Sequence, residues 1–385
     1  MKKGWEYKKL GDVCDTSSGG TPSKNHLEYY EGGTIPWLRS GEVAQGLIYN
    51  TELYITESGL NNSSAKLFPV DTVVLAMYGA TVGQVGLLKK EMATNQAICG
   101  IFPNKRFNPI FLLYSLKAKR PLFLKDAVGG AQPNISQSII KNTIIPIPPI
   151  AEQGYIVKEL NLLTSIIDKK KAQLKEYDQL SQSIFYDMFG DPVTNEKGWE
   201  VKKLSDVSLE KLSYGSGASA IPYNESVRYI RITDINENGE LNGDMVSPNV
   251  YDEKYLLDEG DILFARSGAT VGKTYCHKSK YGKCMYAGYL IRLVPNKDIV
   301  EPSYVFGYTK TSYYMGFVQK AQNAVAQPNI NAKQYGSLLI CIPPLSLQQS
   351  FAEKIEAIEK QKALIQQSIT ETETLFNSRM DYYFN

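Results

Sequence analysis

The chain has 385 residues, 43% of them hydrophobic and 21% charged, with 42 Lys and Arg against 40 Asp and Glu. That length exceeds one core, since domains cluster near about 100–150 residues, and the composition excludes wholesale disorder. No stretch approaches the roughly 20 apolar residues of a membrane span, and the start Met1-Lys2-Lys3-Gly4-Trp5-Glu6 lacks an apolar leader.

Gly4-Trp5-Glu6 opens a first module of short β-branched runs such as Thr34-Ile35-Pro36-Trp37-Leu38 and Thr72-Val73-Val74-Leu75. Gly and Asn clusters punctuate these runs as turns, and a shorter helical patch begins at Pro109-Ile110-Phe111. A strand-rich, mixed α+β body is therefore predicted. Gln132-Pro133-Asn134-Ile135 follows, then Pro148-Pro149 and a proline-free stretch with Leu160, Leu163, Ile167, Leu174, Tyr177, Ile184 and Met188 at 3-4 spacing. That spacing predicts a long helix over 150–189, stopped by Gly190-Asp191-Pro192.

The pattern then repeats. Gly198-Trp199-Glu200 opens a second module, Gln327-Pro328-Asn329-Ile330 and Pro343-Pro344 return 195 positions after their first copies, and a second helical stretch follows. In it, Ile355, Ile358, Ile365 and Ile369 fall in the register of Leu160, Leu163, Lys170 and Leu174. A period this long is a domain plus a spacer, since solenoid repeats run about 20–50 residues. The narrow seams predict an antiparallel coiled coil, each helix being about 60 Å if straight. Lys170, Ser181, Lys362 and Thr372 interrupt those seams. The alternative is two independent amphipathic helices, each lying on its own module.

Charge is uneven. Residues 1–149 carry 16 basic against 11 acidic residues and 198–345 carry 16 against 15, while 150–189 and 346–385 are net −1 and −2. Positive charge in the modules suits a nucleic-acid partner without proving one. Five separated cysteines, with no CxxC pair, read as reduced thiols of a cytoplasmic protein.

No catalytic constellation assembles from the sequence. His26 and His277 lie in different modules, which leaves no His-based metal site or triad. Asp258-Glu259-Gly260-Asp261 reads as a polar turn. Ser267-Gly268-Ala269-Thr270-Val271-Gly272-Lys273-Thr274 matches a phosphate-binding loop at all but its first position. Its first-module counterpart, Tyr78-Gly79-Ala80-Thr81-Val82-Gly83-Gln84-Val85, keeps the glycines and lacks the lysine. A strand–turn–strand is therefore expected in both modules.

Candidate contacts to a nucleic acid are Tyr78, Gln84, Arg266 and Lys273 at this turn, with Lys89, Lys90, Lys278 and Lys280 after it. A solvated basic face is the alternative for these lysines. Arg39 and Arg231 end equivalent strands; each can fork onto guanine or a phosphate, or sit in an ion pair with Glu42 or Asp234, and both readings stay open. The Gln-Pro-Asn-Ile segments read as architectural, with Asn134 and Asn329 capping a short helix or forming an Asx turn.

Together the duplicated Gly-Trp-Glu-x-Lys-Lys-Leu opening, the Gly-Ala-Thr-Val-Gly turn, the Gln-Pro-Asn-Ile segment, the proline entry to each helix and Met188-Phe189-Gly190-Asp191-Pro192 resemble the specificity subunit of type I restriction-modification systems. The resemblance spans essentially the whole chain. It implies a fold of two similar target-recognition domains, 1–149 and 190–345, separated by an antiparallel two-helix coiled coil of spacers 150–189 and 346–385, with a pseudo-twofold axis within one chain. It further implies a non-catalytic subunit that reads the two halves of an asymmetric bipartite target in double-stranded DNA. Two methyltransferase subunits and two restriction subunits are the implied partners, carrying S-adenosylmethionine, ATP and Mg, with no cofactor on this chain. Two alternatives stand beside it. One is the specificity chain of a related system with a fused methyltransferase-nuclease, and the other is a nucleotide-dependent enzyme using segment 267–274.

Overall fold

The computed structural model describes residues 2–128, 133–323 and 329–385. The chain divides into two compact units, one of Met1–Lys169 with Ile369–Asn385 and one of Lys170–Ser368. The two long helices, Ile150–Phe189 and Leu345–Phe384, each contribute one part to each unit.

In the first unit a five-stranded sheet runs in the order Thr16–Ser18, Ile98–Ile101, Val73–Ala76, Val85–Leu88 and Leu47–Ile48. A four-stranded sheet holds Leu53–Ile55, Ile35–Leu38, Met92–Thr94 and Leu67–Phe68. Every residue of Val73–Ala76 and of Val85–Leu88 is buried, so these central strands read as continuous apolar runs and not as alternating ones. Glu6–Lys9 pairs antiparallel with Ile144–Ile147, bringing the opening of the module to the strand that precedes the long helix.

The second unit repeats this plan. Ser213–Tyr214, Leu290–Leu293, Ile262–Ala265 and Thr274–Cys276 form its main sheet, and Arg228–Ile230 runs parallel to Cys284–Tyr286. Glu200–Lys203 pairs with Leu339–Ile342 as its copy does in the first unit.

The long helices form an antiparallel coiled coil. Within the second unit Asp178 meets Lys362 at 2.8 Å, and Phe185 meets Phe351 with ring centres 5.7 Å apart, so numbers rise on one helix as they fall on the other. Within the first unit Glu159 accepts hydrogen bonds from Arg379 (3.0 Å) and Tyr383 (2.6 Å). Leu160, Ile167, Ile358 and Ile369 are buried, and Leu163, Leu174, Ile355 and Ile365 half-buried. The helices also lie on their modules, so the two expectations coexist. Ile156, Val157 and Leu160 share a core with Phe111, Leu112 and Phe384, while Phe185, Phe189 and Phe351 pack with Tyr304 and Tyr308.

Polar residues in the seam are satisfied locally. Lys170 donates to the Ser368 hydroxyl, and the Ser181 hydroxyl donates to the Tyr177 carbonyl. Lys362 is 11% exposed and faces Asp178, Glu359 (3.2 Å) and Glu240 (3.3 Å). Burial works against its charge, yet these carboxylates hold its pKa above the ordinary lysine value.

Gly190, at φ +77°, ends the first long helix in the left-handed region that favours glycine. The last carbonyls of that helix accept from Lys197 Nζ, at 2.7 Å from Asp187 and 3.0 Å from Met188, and from the Trp199 indole, at 2.8 Å from Phe189. The duplicated tryptophan is thus a helix terminator in the second unit. All five cysteines are free thiols, and burial pushes Cys14 and Cys284 up to about 11, away from thiolate chemistry. Among the described residues no helix is long and apolar enough to cross a membrane.

Candidate nucleic-acid interface

The phosphate-loop look-alike is a hairpin turn. Ile262–Ala265 pairs antiparallel with Thr274–Cys276, and a single 3-10 turn, Gly268–Thr270, lies between them. Gly79–Thr81 does the same between Val73–Ala76 and Val85–Leu88. A phosphate-binding lysine needs a helix behind its loop; here a strand follows, and Lys273 Nζ is held by Glu237 at 3.0 Å and by the Ile235 carbonyl at 3.3 Å. The nucleotide-enzyme alternative therefore loses its structural basis at this segment.

The Gln-Pro-Asn-Ile segments back this turn. Gln132, Gln327 and Pro328 lie outside the described residues. Asn134 bridges to Tyr78, and Asn329 bridges to Ser267. The short helices that follow are capped by Ser136 and Asn331 instead, whose side chains accept from Ile139 and Gln334 N–H groups. The capping role expected of Asn134 and Asn329 is thus corrected by two residues. Both asparagines are spent on an extended bridge, which leaves the next polar side chain to open the helix.

The turn and the strand end beside it carry some of the candidate residues. Arg231 follows strand Arg228–Ile230 and opens the 3-10 turn Ile232–Asp234. Its Nε and Nη2 donate to the two oxygens of Asp234 at 3.1 and 2.7 Å. Asp234 is buried at 1% exposure, while the arginine side chain keeps 32%. These hydrogen bonds hold the guanidinium above the ordinary arginine value, against burial. Arg39 is its copy: its N–H donates to Glu42 at 3.1 Å, its Nε lies 3.7 Å from buried Glu42, and its Nη2 meets Glu52. Both arginines are ion-paired, as the second reading expected, and both still reach solvent.

The surroundings of these arginines correspond position by position. Leu38 registers with Thr94, and Ile230 with Tyr286, on parallel strands. Just beyond, Asn95 N–H donates to the Leu38 carbonyl at 3.0 Å and Ala287 N–H to the Ile230 carbonyl at 2.9 Å. Next, Met77 N–H meets the Ala97 carbonyl at 2.7 Å, as Arg266 N–H meets that of Tyr289 at 3.0 Å. The backbone is the same and the side chains differ. In the second unit Arg266 lies 4.7 Å from the centre of the Tyr214 ring, its Nε 3.3 Å from Asn329 Oδ1, and Tyr289 is 62% exposed. In the first unit the same places hold Met77 and Ala97, beside exposed Tyr78.

The other candidates are not part of this patch. Lys89 pairs with Asp71 at 2.7 Å, and Lys278 faces Glu359 on the second long helix at 3.6 Å. Lys90 and Lys280 are exposed, the latter 5.1 Å from the Tyr281 ring. These lysines follow the outgoing strand of each hairpin, and a strand of three or four residues carries them about 10–13 Å from the turn. Gln84 remains at the turn, its N–H bonded to the Thr81 carbonyl. Periodicity could not reveal Tyr289 or Tyr214, which precede or follow glycines with no pattern of their own. Among the described residues no group of three or more His, Cys, Asp or Glu side chains is placed to hold a metal.

A duplicated α+β scaffold with the same turn, the same anchored arginine and different surroundings makes this a protein of two like modules. A family model described as the type I restriction modification DNA specificity domain matches residues 2–176 and 196–374. The chain belongs to that family. It is 26% identical over 386 aligned residues to the type I restriction enzyme MjaIX specificity subunit of Methanocaldococcus jannaschii, covering 93% of this chain and 87% of that one. It is 22% identical to the EcoKI specificity subunit of Escherichia coli K12, over 93% of this chain and 82% of the other. Among solved structures, the S subunit of a type I restriction-modification system from M. genitalium superposes with a TM-score of 0.56 at 15% identity, covering 99% of this chain and 96% of that one. A chain from work on complex assembly and conformational transition of the type I system superposes at 0.62 and 19% identity, covering 100% and 98%.

Proposed function

We propose that each unit reads one half of a two-part DNA sequence and that the chain directs methyltransferase and restriction subunits to it. The observation that carries this reading is the shared backbone around Arg39 and Arg231 with different side chains upon it. One scaffold supplies one docking geometry, and different side chains supply different half-sites. Each wrong base pair then costs about 1–3 kcal/mol, roughly additively. Holding two readers on one chain raises the effective concentration of the second once the first is bound.

In this reading the chain performs no chemistry. The exposed outer faces of the paired helices, with Tyr155, Leu162, Leu180, Leu364 and Leu375 open to solvent, are where partner subunits would dock. S-adenosylmethionine, ATP and Mg would be held by those partners. The test is selection of random-sequence duplexes on the purified chain assembled with its methyltransferase. Enrichment of two short blocks separated by a fixed gap supports the reading. A single block, or none, overturns it.

A further inference from the structure

Arg231 uses only one side of its guanidinium on Asp234. The Nε and one Nη are engaged, which fixes the plane of the group and leaves the edge formed by Nη1 and the second Nη2 hydrogen unoccupied among the described residues. That edge has the geometry of a two-toothed fork. A flexible arginine must be ordered before it can fork; one held by a carboxylate at 1% exposure is already oriented.

What lies in front of it is open. Arg231 lines a notch of about 550 Å³ with Ser216, Gly217, Thr233, Gly288 and Tyr289. A Cβ built on Gly217 meets nothing within 4 Å, and the residue has no positive φ, so neither packing nor backbone conformation explains a glycine there. The room is available to something that approaches from outside. In the first unit, Thr94 Oγ1 and Asn95 Oδ1, on the strand end beside Arg39, are buried without a hydrogen-bond partner among the described residues. Unmet polar atoms on adjoining strand ends point to a polar ligand edge.

We infer that Arg231 and Arg39 are base-reading residues, each forking onto the O6 and N7 edge of a guanine in its own half-site. Nearby side chains, Tyr289 and Arg266 in one unit and Gln96 and Tyr78 in the other, differ between the units and set the adjoining bases. The guanine edge accepts at two adjacent atoms and suits a planar fork; a phosphate accepts the same fork but carries no sequence information, so a change in sequence preference marks the guanine contact. This inference rests on the proposed DNA-reading function and adds to it the residues that do the reading.

The experiment maps methylated sequences in cells carrying the full chain and its methyltransferase, for wild type, Arg231→Lys, Arg39→Lys and Gly217→Val. Lysine keeps the charge and loses the fork. Arg231→Lys is expected to lower discrimination at one guanine of one half-site by about ten- to hundred-fold, leaving the other half intact. Arg39→Lys does the same in the opposite half, and Gly217→Val disturbs the Arg231 half alone. A sequence preference unchanged by Arg231→Lys overturns the inference while the DNA-reading function stands. If Arg231→Lys abolishes methylation altogether, Gly217→Val decides: an undisturbed half-site overturns the inference. A wild-type chain that directs no sequence-dependent methylation overturns the function itself.

Discussion

Gln153 and Gln348, 195 residues apart, occupy the same buried position in the two copies and make the same hydrogen bonds. Gln153 donates to the carbonyls of Arg106 (2.8 Å) and Pro148 (2.9 Å) and accepts from the Asn108 N–H (2.8 Å). Gln348 donates to Ile299 (3.2 Å) and Pro343 (2.8 Å) and accepts from Glu301 (2.9 Å). Each amide ties the first turn of a long helix to the loop that opens a helix of the module, so helix and module are joined by polar groups as well as by apolar packing.

Replacing Gln153 by Leu strands the buried Pro148 carbonyl and the part-buried Asn108 N–H and Arg106 carbonyl. A loss of about 2–4 kcal/mol is expected, since each unmet group costs about 1–3 kcal/mol and some gain water. Chemical denaturation checks this, and Gln348→Leu should cost a similar amount. A loss below about 1 kcal/mol in both variants would show that the tie is dispensable.

Lys362 gathers three carboxylates at the helix seam. Lys362→Met removes the cation that contacts both Asp178 and Glu240. Because Glu240 and Asp178 are 47% and 31% exposed, the expected destabilisation is about 1–3 kcal/mol and not the full cost of a buried unpaired charge. The double variant with Asp178→Leu should recover part of it, and a double-mutant cycle measures the coupling.

His277 is buried at 2% exposure, with Nδ1 3.0 Å from the Tyr275 hydroxyl. Burial lowers its pKa below 6.5, opposed by the carboxylates of Glu259 and Asp258, with Arg292 adding to the lowering. The unfolded chain therefore binds a proton first, and stability falls as pH drops from about 6.5 through the depressed folded value. Denaturation midpoints measured from pH 7 to pH 5 should decline less steeply in His277→Gln than in the wild type. Identical slopes would remove His277 from the acid response.

Lys310 sits in the wall of an apolar cavity beside Phe306, its Nζ 4.8 Å from the ring and 3.1 Å from the Glu237 carbonyl. Burial pushes its pKa down to about 8, with Glu237, Asp178 and Glu240 opposing and Lys362 adding to the fall. A substoichiometric amine-reactive reagent at pH 8 should label Lys310 ahead of exposed Lys90 and Lys280, as read by peptide mass mapping. Preferential labelling of the exposed lysines would contradict the shift.

Much of the architecture was legible in the sequence because it is periodic or repeated. The seam through Leu160, Ile358 and Ile369 follows the 3.5-residue repeat of paired helices, and Gln84 in place of Lys273 exposed the false phosphate loop without coordinates. Gln153 and Gln348 carry their own signal, a glutamine five residues past a repeated proline, yet a polar side chain falls outside any apolar pattern. Asn134 and Asn329 illustrate the opposite problem, since capping and bridging use the same residue type and only tertiary pairing separates them. The patch around Arg231 joins residues from four separate segments, and no local rule brings Tyr214, Arg266 and Tyr289 together.

The most direct measurement is the map of methylated bases in cells that express a type I methyltransferase subunit with and without this chain. The account predicts a two-part sequence with a fixed gap that disappears when the chain is deleted. Methylation of the same sequence in its absence would contradict the claim that this chain supplies the address.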